Sequence, residues 1–365
     1  MKYSTIKELH PEGTQYITLN DHEVPSVYSD VEQEYNTIRN HIGLIDGNGF
    51  ALLQITGGNE IEFVNSLISK DISFLNPGMV CEAIMLRENA TPIAIVYILN
   101  TPSGLLLLAP PENAAETCQW IFAHQEDGVE IKDLSNEKSL IFIEGEKSWC
   151  VAAKVFSFPI ETLALRTFST VQFEEDSDVI LSRIGRSGEY AYCIIASHET
   201  ILHLSMHLLQ EKDTPISLCG SSAMDICMLE VSQPIICEET VSAGTLFELG
   251  YQWFTQYDKE DYIGAEKLKE QFEAERQLHA VGFKSEDQEA ILPGATVYLE
   301  DEQVGNVLLA KNDPTLKGTL GIAMLQTCVA VSGIPLSVRC GEKHSSIMTI
   351  SSPFVRPHSW DSQME

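Results

Sequence analysis

The chain has 365 residues, 44% of them hydrophobic, which is enough for a large core divided over two or three domains. Its 53 acidic and 23 basic residues give a net charge of −30, which repels nucleic-acid backbones and anionic membrane surfaces and leaves small anions to bind only in a locally basic pocket. No apolar run reaches the roughly 18 residues of a spanning helix, no apolar leader follows Met1, and the nine cysteines form no Cys-x-x-Cys pair, so a cytoplasmic protein with reduced thiols is expected.

Residues 1–37 read as polar and irregular, with a short helix over 35–42 followed by Gly43-Leu44-Ile45-Asp46. Residues 51–58, ALLQITGG, alternate as a strand and end in a glycine turn. NEIEFVNSLI follows, with apolar residues at Ile61, Phe63, Val64, Leu67 and Ile68, the spacing of a helix. Residues 139–146, SLIFIEGE, again read as a strand ending at a glycine, and KSWCVAAKVF again as a helix. Gly57 and Gly145 hold the same place in the two units. The pattern reads either as an internal duplication or as a chance likeness between two common units.

Further strands are expected at 80–86, 93–99, 104–108, 171–173, 179–182 and 190–196, and helices at 113–124, 198–210 and 265–275, which makes an α+β domain. Beyond residue 276 the chain reads as short strands punctuated by Pro293-Gly294, Asn312-Asp313-Pro314 and Gly333, the pattern of a small barrel or sandwich. A boundary between Glu275 and Leu278 divides an α+β domain (1–277) from a C-terminal β-barrel domain (278–365).

Four stretches, in order, resemble the folate-dependent aminomethyltransferase (glycine cleavage T-protein-like) superfamily. They are Arg39-NHI-GLID with the strand and helix that follow, Arg183-IGRSGEYAYCI, Ala223-MDICMLEVSQPI running into TLFELGYQW and YDKEDYIGAEKL, and LPGATVYLEDEQVGNV running into KNDPTLKGTLGIAML and SSPFV. The resemblance implies that family's folate-binding α+β fold with a C-terminal barrel, and a central funnel for tetrahydrofolate. There a carboxylate reads the pterin edge, arginines suit the folate carboxylates, and an aspartate orients the reacting nitrogen.

Several of those positions carry other side chains here. In the ungapped alignment, Ala94 and Ile95 occupy the family's Asp-Asp pair, Glu82 a tyrosine, Cys193 the pterin-reading glutamate, Arg186 a tyrosine, and Met224 and Met228 two arginines. Asp225, Glu230, Glu248 and Trp253 remain. Glu82 is either a relocated acid or base facing the funnel or a solvent-facing residue on an edge strand. Arg186 either grips a substrate carboxylate or pairs within its own loop. Cys193 on an alternating strand reads as a buried thiol. His203 and His207 have metal-compatible i, i+4 spacing but no supporting third ligand, so no metal is expected.

The resemblance implies a methyl or aminomethyl transferase that uses tetrahydrofolate through a rebuilt site. Glu82 is its catalytic candidate, and Arg186, Tyr192, Cys193, Met224, Met228, Trp253, Ala94 and Ile95 line the funnel. A folate-independent enzyme of specialised metabolism and a non-catalytic binding protein stand as alternatives. A small-molecule substrate is expected; a lipoyl carrier protein is implied only for the glycine-cleavage member.

Overall fold

In the computed structural model, residues 2–287, 290–341 and 343–364 are described. The chain divides into two compact units, one of Met1–Met85, Ile93–Cys227 and Pro357–Glu365, the other of Leu86–Pro92 and Met228–Arg356.

The first unit opens with a hairpin, β1 (Gln15–Leu19) and β2 (His22–Val27), where the sequence reads as irregular. Asn20 and Asp21 make its two-residue turn, both with positive φ (48° and 66°). That is the turn conformation whose twist matches an antiparallel pair, and asparagine and aspartate tolerate it better than most residues. Helix α1 (Val31–Asn40) begins earlier than its apolar spacing indicates, because the Asp30 side chain accepts from the Gln33 amide and caps it. The GLID segment is strand β3 (Ile42–Asp46).

Two copies of one seven-element unit follow. The first runs β4 (Ala51–Thr56), α2 (Glu60–Leu67), β5 (Val80–Leu86), β6 (Pro92–Thr101), β7 (Gly104–Ala109), α3 (Ala114–Ala123) and β8 (Glu130–Asp133). The second runs β9 (Lys138–Glu144), α4 (Ser148–Phe156), β10 (Phe168–Phe173), β11 (Asp176–Ser182), β12 (Ala191–Ser197), α5 (His198–Leu209) and β13 (Ile216–Leu218). Their sheets are ordered β5-β6-β7-β4-β8 and β10-β11-β12-β9-β3-β13. Every strand of the first has its counterpart in the second, and β3 alone is additional. The duplication legible at Gly57 and Gly145 therefore extends over both sheets. Both glycines have positive φ (119° and 144°). A β-carbon there would stand 2.1 Å from a carbonyl oxygen, of Gly128 in one copy and of His41 in the other, so the turn admits only glycine.

One face of the second sheet packs against α4 and α5 through Ile141, Ile143, Tyr192, Ile194, Val151, Ile201 and Leu204. Because side chains alternate along a strand, Phe142, Glu144 and Cys193 leave the opposite face. The Phe168 amide donates to the Gly78 carbonyl and the Val80 amide to the Arg166 carbonyl, each at 2.8 Å, and these tie β5 to the start of β10.

The second unit contains the remainder of α6 (Ser221–Glu230), then α7 (Glu238–Ala243), α8 (Ala265–Glu273) and six strands. These are β14 (Leu278–Ser285), β15 (Thr296–Leu299), β16 (Glu302–Asp313), β17 (Gly318–Gln326), β18 (Pro335–Cys340) and β19 (Lys343–Ile350), closed into a barrel in the order β14-β17-β16-β15-β18-β19. Phe283, Val297, Val307, Ala323, Leu325, Val338 and Ile347 fill its interior. Closure gives each barrel strand a neighbour on both sides among the described residues.

Candidate functional site

The first unit gathers several ionisable side chains in an otherwise apolar interior. Tyr97 on β6 marks the place. Its phenol is pushed well above the ordinary 10, first by burial and then by the Glu82 carboxylate. Arg186 opposes that rise, and Glu144 and Cys193 add to it. Tyr97 therefore stays protonated at neutral pH and is available as a hydrogen-bond donor. Glu82, Glu144, Arg186 and Cys193 come from β5, β9, the β11–β12 loop and β12, so both copies of the duplicated unit contribute.

Arg186 is held from below. Its backbone amide donates to both carboxylate oxygens of Glu144 at 3.2 Å, and the Ser187 amide donates to Glu144 at 2.9 Å. The guanidinium lies 5.3 Å from the Phe50 ring centroid, a cation–π contact. The residue is 9% exposed, and its Nε has no hydrogen-bond partner among the described residues. A buried guanidinium with an unsatisfied donor is costly unless an anion completes it.

Arg39 shows the contrasting arrangement nearby. It donates to Glu189 Oε1 and the Ser187 carbonyl at 2.9 Å, and to the Cys227 carbonyl at 3.2 Å. Glu189 also accepts from the backbone amides of His358 and Ser359. This is a scaffold pair with its bonds filled.

Glu82 is buried at 8% exposure, and its Oε2 accepts from Arg166 Nη2 at 2.7 Å. The Arg166 side chain is half exposed, so the pair joins a solvent-facing arginine to a buried carboxylate. Ala94 and Ile95 are both buried on β6; alternation puts Ile95 on the Tyr97 face and Ala94 on the reverse. The Cys193 thiol is pushed up by burial, with Glu144 adding and Arg186 opposing, and it stays protonated and unreactive.

Tyr192 leaves this group. As the neighbour of Cys193 it points to the other face of β12 and packs among the helix-facing residues, and its Oη lacks a partner among the described residues. Met224 is fully buried in α6. Met228 and Trp253 belong to the second unit, where Met228 is buried and Trp253 is 65% exposed, edge-on to Phe254. His203 lies 3.7 Å from Glu174, and His207 packs edge-on to Phe173. Glu230 is buried, and its carbonyl accepts from the Phe354 and Val355 amides. Tyr97 and Glu144 escape the sequence reading. Tyr97 stands inside a run of aliphatic strand residues, and Glu144 looks like an ordinary strand end until the Arg186 loop folds onto it.

The family model for the GCVT N-terminal domain matches residues 6–259. The chain belongs to this family. It is 25% identical over 346 residues to an aminomethyltransferase of Halalkalibacterium halodurans, covering 94% of this chain and 95% of that one. It is 26% identical over 349 residues to an aminomethyltransferase of Geobacillus thermodenitrificans, with the same coverage. Among solved structures, the glycine cleavage system aminomethyltransferase T of Bartonella henselae superposes with a TM-score of 0.86 at 20% identity, over 98% of each chain. That agreement establishes the fold, including the barrel.

Proposed function

We propose that this protein is a tetrahydrofolate-dependent one-carbon transferase whose anionic ligand is anchored by Arg186 and whose acid–base group is Glu82. Membership of the GCVT family and near full-length likeness to aminomethyltransferases support the reaction class. The observation that carries the placement is the buried Arg186 guanidinium, whose Nε has no partner among the described residues. A folate carboxylate matches that guanidinium in charge and can accept from its Nε. When bound, tetrahydrofolate supplies the nitrogen that exchanges the one-carbon group.

The chain's own residues would then divide the work. Arg186, fixed by Glu144 through two backbone amides, orients the ligand. Tyr97 donates a hydrogen bond and cannot take a proton at neutral pH. Glu82 is a carboxylate at this place able to exchange one, and it does so when Arg166 swings toward solvent. Cys193 and Ile95 supply apolar walls that keep water away.

Thermal-shift titration with 5-formyl-tetrahydrofolate tests the reading. At 100-fold over the dissociation constant the ligand should add about 2.7 kcal/mol of stability. Arg186→Met should abolish that shift and leave the ligand-free melting temperature unchanged or higher. No shift of the wild type at millimolar ligand removes folate from the proposal. Glu82→Gln should keep the shift and slow transfer by about 100-fold or more; an unchanged rate makes Glu82 a bystander.

A further inference from the structure

A cavity of about 330 Å³ lies within the first unit. It is formed by the segment before β1, the first residue of β2, the β3–β4 turn, the start of β9 and the first residue of α5. Lys2, Lys138, His22 and His198 line it together with the hydroxyls of Ser135 and Ser139, and no described aspartate or glutamate lines it. In a chain with 53 acidic residues, such a wall creates the locally positive potential that a small anion needs.

The donors are partly arranged in advance. Ser139 Oγ lies 2.6 Å from His198 Nδ1 and 2.8 Å from Thr5 Oγ1, so one hydroxyl is held between two neighbours. His198 opens the twelve-residue helix α5, whose first turn adds a partial positive charge. Lys138 gives one contact to the exposed Asp178 at 2.6 Å, and an ammonium has three donors. His22 Nδ1 and Ser135 Oγ are buried polar atoms with no partner among the described residues. Two polar atoms without a partner among the described residues and two ammonium groups, one of them also paired with Asp178, suit a ligand with several acceptor oxygens and negative charge.

We infer that this cavity binds a phosphate group, either free phosphate or the phosphate of a small metabolite. A tetrahedral oxyanion reaches hydroxyl, imidazole and ammonium donors from several directions at once, which a planar carboxylate cannot. The volume also leaves room for a short organic tail beyond the phosphate.

Isothermal titration of the full chain with inorganic phosphate, glycerol 3-phosphate and succinate, at constant ionic strength, decides the matter. Saturable one-site binding of phosphate or its ester is expected. Ser139→Ala and Lys2→Gln should each weaken it at least about tenfold. Lys2 is exposed, so its replacement leaves the fold intact and an affinity change reports the cavity itself. A tighter ester identifies a phosphorylated metabolite, and a tighter inorganic phosphate identifies the free ion; either supports the site. Absence of saturable binding up to about 10 mM phosphate, equal binding of succinate, or unchanged affinity in both variants overturns it.

Discussion

Two arginines in the first unit differ in how their donors are met. Arg39 is 3% exposed with its donors spent on Glu189 and on two carbonyls, while Arg186 is about as buried but its Nε has no partner among the described residues. Removing one partner of a filled buried pair strands the other charge. Arg39→Met should therefore destabilise the protein by about 3–5 kcal/mol in urea unfolding. A loss below about 1 kcal/mol would show that Glu189 is adequately served by the His358 and Ser359 amides alone. At this scale the sequence was partly transparent. Cys193 could be read as a buried thiol from strand alternation. Tyr97 gave no signal, because its role comes from charges brought in from other strands. Tyr192 packs on the face of β12 opposite to Cys193, because adjacent strand residues face opposite ways.

At the scale of elements, glycine turns and apolar alternation were the legible features. The strand–glycine–helix likeness between residues 51–68 and 139–156 foretold a duplication that the two sheet orders repeat strand for strand. The β1–β2 hairpin was illegible because neither strand alternates cleanly: β1 is exposed or half exposed throughout, and β2 ends in four consecutive buried residues. The glycine reading has a measurable consequence. Gly57→Ala and Gly145→Ala should each cost at least about 1–3 kcal/mol through backbone conformation alone, with the carbonyl clash in addition. Urea midpoints of the two variants check this, and a near-neutral Gly145→Ala would mean that the turn relaxes freely.

At the scale of the whole molecule, stability is linked to pH through two histidines in different units. His22 is lowered from 6.5 by burial and then by the Lys2 charge, and His279 by burial and then by Arg276. Below 6.5 the unfolded chain binds protons that the folded chain refuses. These histidines therefore stabilise the fold above that pH, and the contribution is lost as pH falls through their depressed folded values. The urea midpoint should drop as pH falls from about 7 to about 5, and the drop should narrow in a His22→Gln, His279→Gln double variant. An equal drop in that variant would assign the pH response to other groups.

The extra strand β3 makes the two copies unequal in how they open. In the first, β8 bonds directly to β4 along four residue pairs. In the second, β13 reaches β9 only through β3, and holds β3 by three parallel pairs, Ile216 to Ile42, Ser217 to Gly43 and Leu218 to Leu44. Fraying of residues 42–46 thus releases β13 as well, whereas no single intermediary controls β8. Amide hydrogens at 216–218 should exchange in step with those of 42–46 and faster than those of 130–133, giving the older symmetry a visible breaking point.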